Sequence, residues 1–126
     1  MNFQQSVAKS RPSVTENVVR AHLLAFVDQK GVDAIMGDYA EDANFLSGDR
    51  TYRGKSEIRE FFENFLAALP PQAVREFVLK SLRCEGNVAH ITWSAGHRLP
   101  LGTDTFVVRD GKLVSQTFAM YVPATA

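Results

Sequence analysis

The strongest constraint on the fold is a change of hydrophobic period at Pro70 and Pro71. Before these prolines, one set of apolar residues follows the i, i+3, i+4, i+7, i+8, i+11 spacing of an amphipathic helix: Ile58, Phe61, Phe62, Phe65, Leu66 and Leu69. After them, apolar and polar residues alternate, as in half-buried strands. Because proline interrupts a helix, the helix is expected to end here. Helices first and strands last favour an α+β fold with helices covering one face of an antiparallel sheet.

Two shorter helices are predicted upstream of this one. Ser13 and Glu16 have the spacing of a capping box, which predicts the start of a helix that Gly31 ends. A short second helix is expected to carry four apolar residues on one side: Val32, Ile35, Met36 and Tyr39. Short strands are predicted at 44–47 and 51–53, on either side of a turn.

The second half of the chain is predicted to form a meander. Its four strands are expected at about 73–84, 87–97, 104–109 and 112–122. With the helices, they make one core in a chain of 126 residues, the usual size of a single domain. We assign residues 1–12 to a flexible N-terminal arm and residues 13–126 to this domain.

Charge and composition exclude several classes of function. Fourteen basic and fourteen acidic residues give a formal net charge of zero, so no nucleic-acid partner is expected. The single cysteine, Cys84, suits a reducing compartment, and the polar N-terminus lacks a secretory signal, which predicts a cytoplasmic protein. No apolar run approaches the roughly 20 residues of a membrane span, so no membrane partner is expected. Three scattered histidines predict neither a metal site nor a cofactor.

Asp104 is an unusual residue because it opens an apolar strand. If residues 98–103 form the preceding loop, His97 lies opposite Asp104, close enough to share a proton. The same register puts Trp93 and Phe106 on the sheet face that the helices cover, with this pair at one end.

Two loops fit the last hairpin. A two-residue loop would turn a mixed set inward: Leu113, Ser115 and Thr117. A three-residue loop would turn a larger and more apolar set inward: Val114, Gln116, Phe118 and Met120. We favour the second loop, at residues 109–111, which also makes Gln116 a candidate hydrogen-bond partner of Asp104.

Two segments carry a resemblance to a known family. Residues 31–69 (GVDAIMGDYAEDANFLSGDRTYRGKSEIREFFENFLAAL) and 102–122 (GTDTFVVRDGKLVSQTFAMYV) resemble the SnoaL-like branch of the nuclear transport factor 2-like superfamily. The resemblance implies a cone, in which a curved antiparallel sheet packs on three N-terminal helices around a deep, mostly apolar pocket. It also implies a homodimer. We expect its interface on the outer sheet face, which includes Thr92, Ser94, Thr105 and Val107.

Individual positions resemble two kinds of enzyme in this superfamily. The stretch DANFLSG puts Ser47 where ketosteroid isomerase has its general base, so isomerase chemistry of that kind lacks its base here. Asp104 matches the isomerase aspartate that stays neutral in an apolar site. His97 in AGH and Asp104 in DTF resemble the His and Asp that act together in polyketide cyclases.

These observations leave three hypotheses. The first is a cofactor-free acid/base enzyme that cyclises, isomerises or dehydrates a small apolar carbonyl compound, with Asp104 and His97 as catalytic residues. Its ligand-binding residues are expected to be Trp93, Phe106, Gln116, Phe118, Met120, Tyr39, Ser47 and His22. The second is a non-catalytic protein that binds a small molecule in the same pocket. The third is an association domain. A cavity lined by Asp104 favours the first two hypotheses, whereas one filled by Phe62 and Met120 favours the third.

Overall fold

A computed structural model describes residues 12–124, so nearly all of the predicted N-terminal arm lies outside the described residues. The helices are α1 (Val14–Val27), α2 (Val32–Met36), α3 (Gly54–Ala68) and α4 (Pro71–Arg75). The strands are β1 (Tyr39–Ser47), β2 (Arg50–Arg53), β3 (Phe77–Glu85), β4 (Val88–Ala95), β5 (Leu101–Arg109) and β6 (Lys112–Tyr121). Over these residues, no helix is long and apolar enough to cross a membrane.

The strands form one curved sheet in the order β2-β1-β6-β5-β4-β3, and the sheet is not closed. Helices pack on one face of it, which confirms the predicted α+β class. The sheet is not purely antiparallel, because the neighbouring strands β1 and β6 run parallel. These two strands are far apart in the chain, so no hairpin forces them to run in opposite directions.

The predicted helices α1 and α3 form for the expected reasons. The Ser13 hydroxyl accepts a hydrogen bond from the Glu16 backbone N–H at 3.1 Å and so caps α1. The apolar face of α3 buries Ile58 and Phe62 against the sheet. The Thr15 hydroxyl also donates a hydrogen bond to the Gly86 carbonyl at 2.9 Å. This bond holds the start of α1 against the turn after β3.

Two elements differ from the sequence prediction. Tyr39 was expected on the second helix, but α2 ends at Met36 and Tyr39 is the first residue of β1. Residues 71–75, partly predicted as strand, form a helix, so residues 12–124 contain four helices where three were expected. Pro71 favours this helix because its fixed φ suits the first helical position, where no N–H is needed.

The hairpin between β4 and β5 has a different register from the predicted one. Asp104 pairs with Ile91, six residues before His97, so the predicted pairing of His97 with Asp104 is wrong. The shift is even, so each side chain stays on its predicted face. Strand β5 begins earlier in the chain than predicted, because Gly102 is part of the strand and lies under the Trp93 ring. A Cβ at Gly102 would come within 2.1 Å of that ring, so only glycine fits there.

The last hairpin combines features of both loops considered above. Its loop is the two-residue one, because Arg109 pairs with Lys112 and both loop residues have positive φ, as a type I′ turn requires. The three-residue loop was therefore wrong. An irregularity in the pairing of β5 with β6 leaves Val114 without a cross-strand partner. Beyond it, the residues of β6 lie on the sheet faces predicted for them. As a result, Leu113 and Gln116 are both buried.

Candidate functional site

An aromatic cavity lies between the inner face of the sheet and the helices. Eight of the chain's nine phenylalanines line it, together with Trp93 and a few other residues. The phenylalanines are Phe26, Phe45, Phe61, Phe62, Phe65, Phe77, Phe106 and Phe118. The remaining lining residues are His22, Leu23, Ile35, Asp104 and Gln116. Its volume is about 60 Å³, whereas one water needs roughly 10–15 Å³, so it holds a small molecule rather than a large one.

Asp104 is the one carboxyl group among these lining residues. It is 6% exposed, and each of its oxygens accepts one hydrogen bond. The Trp93 indole donates to Oδ1 at 2.8 Å, and the Gln116 carboxamide donates to Oδ2 at 2.8 Å. The predicted hydrogen bond between Gln116 and Asp104 is therefore present, although Gln116 pairs with Phe106 in the sheet. These two donors fix the carboxyl group while the lone pairs they leave free remain available to a ligand.

Further hydrogen bonds continue from Gln116 toward the surface. The Tyr39 hydroxyl donates to Gln116 Oε1. His22 Nε2 lies 3.4 Å from the same hydroxyl, and His22 Nδ1 lies 3.0 Å from Asp38 Oδ2. The Asp38 side chain is 25% exposed, so this line of polar groups runs from the partly exposed Asp38 to the cavity.

Burial changes the proton affinity of two groups in this network. Desolvation raises the pKa of Asp104 above its usual value, and the hydrogen bonds from Trp93 and Gln116 offset part of the increase. The positive charge of protonated His22 opposes the increase as well. Desolvation also raises the pKa of Tyr39 well above its usual value, so its hydroxyl stays protonated.

The raised pKa of Asp104 predicts a pH-dependent stability. The folded protein holds this proton at pH values where the unfolded chain has released it, so stability falls as the pH rises from about 4 through the raised pKa. Asp104→Asn should lack this part of the slope. Melting temperatures of wild type and Asp104→Asn between about pH 4 and 8, with the exposed carboxylate variant Asp42→Asn as control, measure it. Parallel curves for wild type and Asp104→Asn would contradict the prediction.

The family of the chain follows from a comparison with known domains. The sequence profile of the SnoaL-like domain matches residues 19–116, which is well over half of the chain. The chain belongs to the SnoaL-like domain family. The resemblance carried by residues 31–69 and 102–122 is thus confirmed. Comparison with curated proteins finds no match.

Solved structures confirm the fold of this SnoaL-like domain. An NTF2-like protein of unknown function from Burkholderia xenovorans is 20% identical, with a TM-score of 0.71 over 90% of this chain and 87% of that one. TerC, co-crystallized with polyporic acid, is 15% identical, with a TM-score of 0.68 over 86% and 92% of the two chains. A hypothetical protein with a ketosteroid isomerase-like protein fold from Catenulispora acidiphila, in complex with trimethylamine, is 13% identical, with a TM-score of 0.64 over 81% and 83% of the two chains.

The structure brings most of the residues predicted for the site together. Six line the cavity: Asp104, Trp93, Phe106, Gln116, Phe118 and His22. Tyr39 lies directly behind Gln116. Three others lie elsewhere. His97 is exposed in a separate cleft beside α4, Ser47 borders a shallow depression at the β1–β2 turn, and Met120 lines an apolar hollow next to Phe65.

Sequence reasoning missed two parts of this site. Asp38 was not singled out, because a carboxylate between a helix and a strand gives no sign that a histidine on α1 will face it. Phe61 and Phe65 were assigned to the helical core, whereas both also line the cavity. The helical spacing finds the buried face of α3 but cannot distinguish contact with the sheet from contact with a cavity.

The arrangement is suited to acid/base chemistry on an apolar molecule. Asp104 is a buried carboxyl group whose proton affinity is raised, and the rings around it exclude water. Over residues 12–124, no group of three or more metal-ligating side chains comes together. His22 is the second titratable group of the cavity, and Asp38 holds one of its nitrogens.

Proposed function

We propose that this SnoaL-like domain binds a small, largely apolar carbonyl compound in the aromatic cavity and that Asp104 exchanges a proton with it, without a cofactor. The observation that carries the proposal is the burial of the Asp104 carboxyl group among aromatic rings. Apolar walls hold a carbon skeleton, and burial raises the pKa of the Asp104 carboxyl group, which makes its carboxylate a stronger proton acceptor.

The proton step uses only groups of the cavity. The Asp104 carboxylate takes a proton from a carbon next to the carbonyl, and the substrate becomes an enolate. Asp104, now a carboxylic acid, returns the proton to the same carbon or to another carbon of the ligand. Return to another carbon gives an isomer. If the enolate instead attacks a second carbonyl, a C–C bond closes the ring, the C=O π bond becomes an alkoxide, and Asp104 gives its proton to that alkoxide. The hydrogen bonds from Trp93 and Gln116 keep the carboxyl group in place during this exchange.

Relatives of the same fold support a small organic ligand. TerC was co-crystallized with polyporic acid, and the Catenulispora acidiphila protein was found in complex with trimethylamine. The cavity of about 60 Å³ favours a compact ligand over a long chain.

The test is deuterium exchange at the carbon next to the carbonyl of cyclopentanone, followed by NMR in heavy water. Trp93 is the only tryptophan of the chain, so its fluorescence reports binding in the same samples. We expect saturable quenching of Trp93 and exchange that is faster than in buffer. Saturable quenching without exchange would support non-catalytic binding instead. Absence of both would overturn the proposal for this ligand class.

A second candidate function is binding of a small organic cation. The specific observation is that a carboxylate lies among aromatic faces, the combination that attracts alkylammonium groups. Titration with trimethylammonium chloride under the same fluorescence assay distinguishes the two candidates. Quenching by the cation, and none by cyclopentanone, would favour the second.

We also propose that the domain is a homodimer through the outer face of the sheet. The four residues expected there, Thr92, Ser94, Thr105 and Val107, are all half-buried in the single chain. Sedimentation at micromolar concentration should give twice the mass of the 14.0 kDa chain. Thr105→Arg, at the middle of β5, should shift the mass to that of a monomer. A monomeric wild type would contradict the prediction.

The free thiol of Cys84 supports a cytoplasmic location as part of this proposal. Cys84 is half-buried on β3, and the chain contains no second cysteine with which it could pair. Reducing compartments keep such thiols free.

A further inference from the structure

Five polar side chains form one directed line of hydrogen bonds that ends in the cavity. From the surface inward they are Asp38, His22, Tyr39, Gln116 and Asp104. His22, Gln116 and Asp104 are each at most 6% exposed, and Tyr39 is 2% exposed. In such a buried network, each donor has to face an acceptor.

Counting donors gives an arrangement of protons that satisfies the observed contacts. Tyr39 has one hydroxyl proton, and it points to Gln116 Oε1. The Tyr39 oxygen therefore accepts from His22 Nε2, while Nδ1 donates to the Asp38 carboxylate. An imidazole donates from both nitrogens only when it is protonated. In this arrangement His22 carries both ring protons, and Asp104 accepts from Gln116 and needs no proton of its own, so it takes the carboxylate form.

A half-turn of the Gln116 carboxamide gives a second arrangement with the same number of protons. Oε1 then faces Asp104, which has to be protonated in order to donate to it. Nε2 donates to the Tyr39 oxygen, and the Tyr39 hydroxyl donates to His22 Nε2. His22 becomes neutral and keeps the Nδ1 proton for Asp38. Every polar atom again has a partner.

We propose that Gln116 is a two-position switch that ties the proton on His22 to the proton on Asp104, so that Asp104 is a base in one position and an acid in the other. The use of this switch rests on the proposed function. Taking a proton from the substrate needs the ionised form of Asp104, and returning it needs the protonated form. The line does not itself carry the proton, since a carboxamide does not release its N–H protons near neutral pH. His22 gives its proton to water, and Asp104 takes one from the bound ligand or from water.

One combination of charges leaves the line broken. Neutral His22 together with ionised Asp104 makes two acceptors face each other, whichever way Gln116 points. The remaining groups that act on the pair are few: Asp38 and Tyr39 face His22, while Tyr39 and the more distant His90 act on Asp104. Tyr39 is itself part of the line, and Asp38 and His90 each act on one end only, so neither replaces the link through Gln116.

NMR titration of isotope-labelled protein without ligand tests the switch. The Asp104 carboxyl carbon and the His22 ring nitrogens are followed between about pH 4 and pH 9. In wild type, we expect the Asp104 signal to change in two steps at least about one pH unit apart, one of them coinciding with the change at His22. Tyr39→Phe removes the central hydroxyl and should merge the Asp104 curve into one step. Tyr52→Phe, which removes a hydroxyl outside the line, should leave both curves as in wild type.

The outcomes separate this inference from the proposed function. Two steps that persist unchanged in Tyr39→Phe would mean that the coupling acts through space, and this would overturn the switch. A single step in wild type, or a His22 that keeps one charge throughout, would overturn it as well. Should Tyr39→Phe unfold, Gln116→Met breaks the same line and decides in its place. Because the titration needs no substrate, its result stands whether or not cyclopentanone is exchanged.

Discussion

Asp104→Asn should lower the rate of cyclopentanone exchange by about 10²–10⁴-fold while the protein stays folded. The substitution removes the only carboxyl group among the residues that line the cavity, and with it the acceptor for the substrate proton. The shape is kept. The Asn oxygen can accept from Trp93, and the Asn amide can donate to Gln116 after a half-turn of that carboxamide, which is the hydrogen-bond pattern of a protonated Asp104.

The matched control for this variant is Asp42→Asn, which neutralises an exposed carboxylate on β1 outside the cavity. It should exchange cyclopentanone at the wild-type rate. Trp93 quenching should persist in Asp104→Asn with an affinity changed by only a few-fold, because the aromatic walls are intact. An Asp104→Asn protein that binds the ketone and still exchanges it at the wild-type rate would show that another group accepts the proton.

The elements that sequence predicted correctly are those fixed by local spacing. Helix α3 follows from its 3.6-residue period and from the prolines after it, and α1 follows from the capping box at Ser13. The covered face of the sheet also followed from the sequence, since Trp93 and Phe106 share it in spite of the register error. Side chains alternate between the two faces of a strand with a period of two. An even shift of register therefore changes the cross-strand partners of a residue but not the face on which it lies.

The parts that could not be predicted depend on contacts between distant segments. The parallel pairing of β1 with β6 joins strands that no short loop connects. Glycine is common in loops, so the sequence gives no sign that Gly102 belongs to β5. It fits there because the Trp93 ring lies directly over it. For the same reason His97 was predicted to lie opposite Asp104. The structure instead links the Asp104 carboxyl group to His22 on α1, through Gln116 and Tyr39.

Phe62→Ala should reduce the free energy of unfolding by about 3–5 kcal/mol. The ring is 6% exposed on the covered face of α3 and meets four other rings, of which Phe61 at 5.1 Å and Phe45 at 5.7 Å between centroids are the nearest. Removing it takes apolar area out of the core and leaves a void that these rings cannot fill without moving. Urea denaturation of wild type and variant measures the change.

Phe65→Ala is the matched control, because the same ring is removed one turn further along α3. Both rings line the cavity, but Phe65 is only half-buried, whereas Phe62 is buried, so the loss of Phe65 removes less apolar area from the core. It should therefore cost clearly less than Phe62→Ala. Phe62 also lies against His22 and Tyr39, with ring centroids 6.2 and 6.1 Å away, so its removal loosens the polar line as well as the core. Equal losses in the two variants would mean that the rings of α3 are equally buried, and that the aromatic cavity is part of the core.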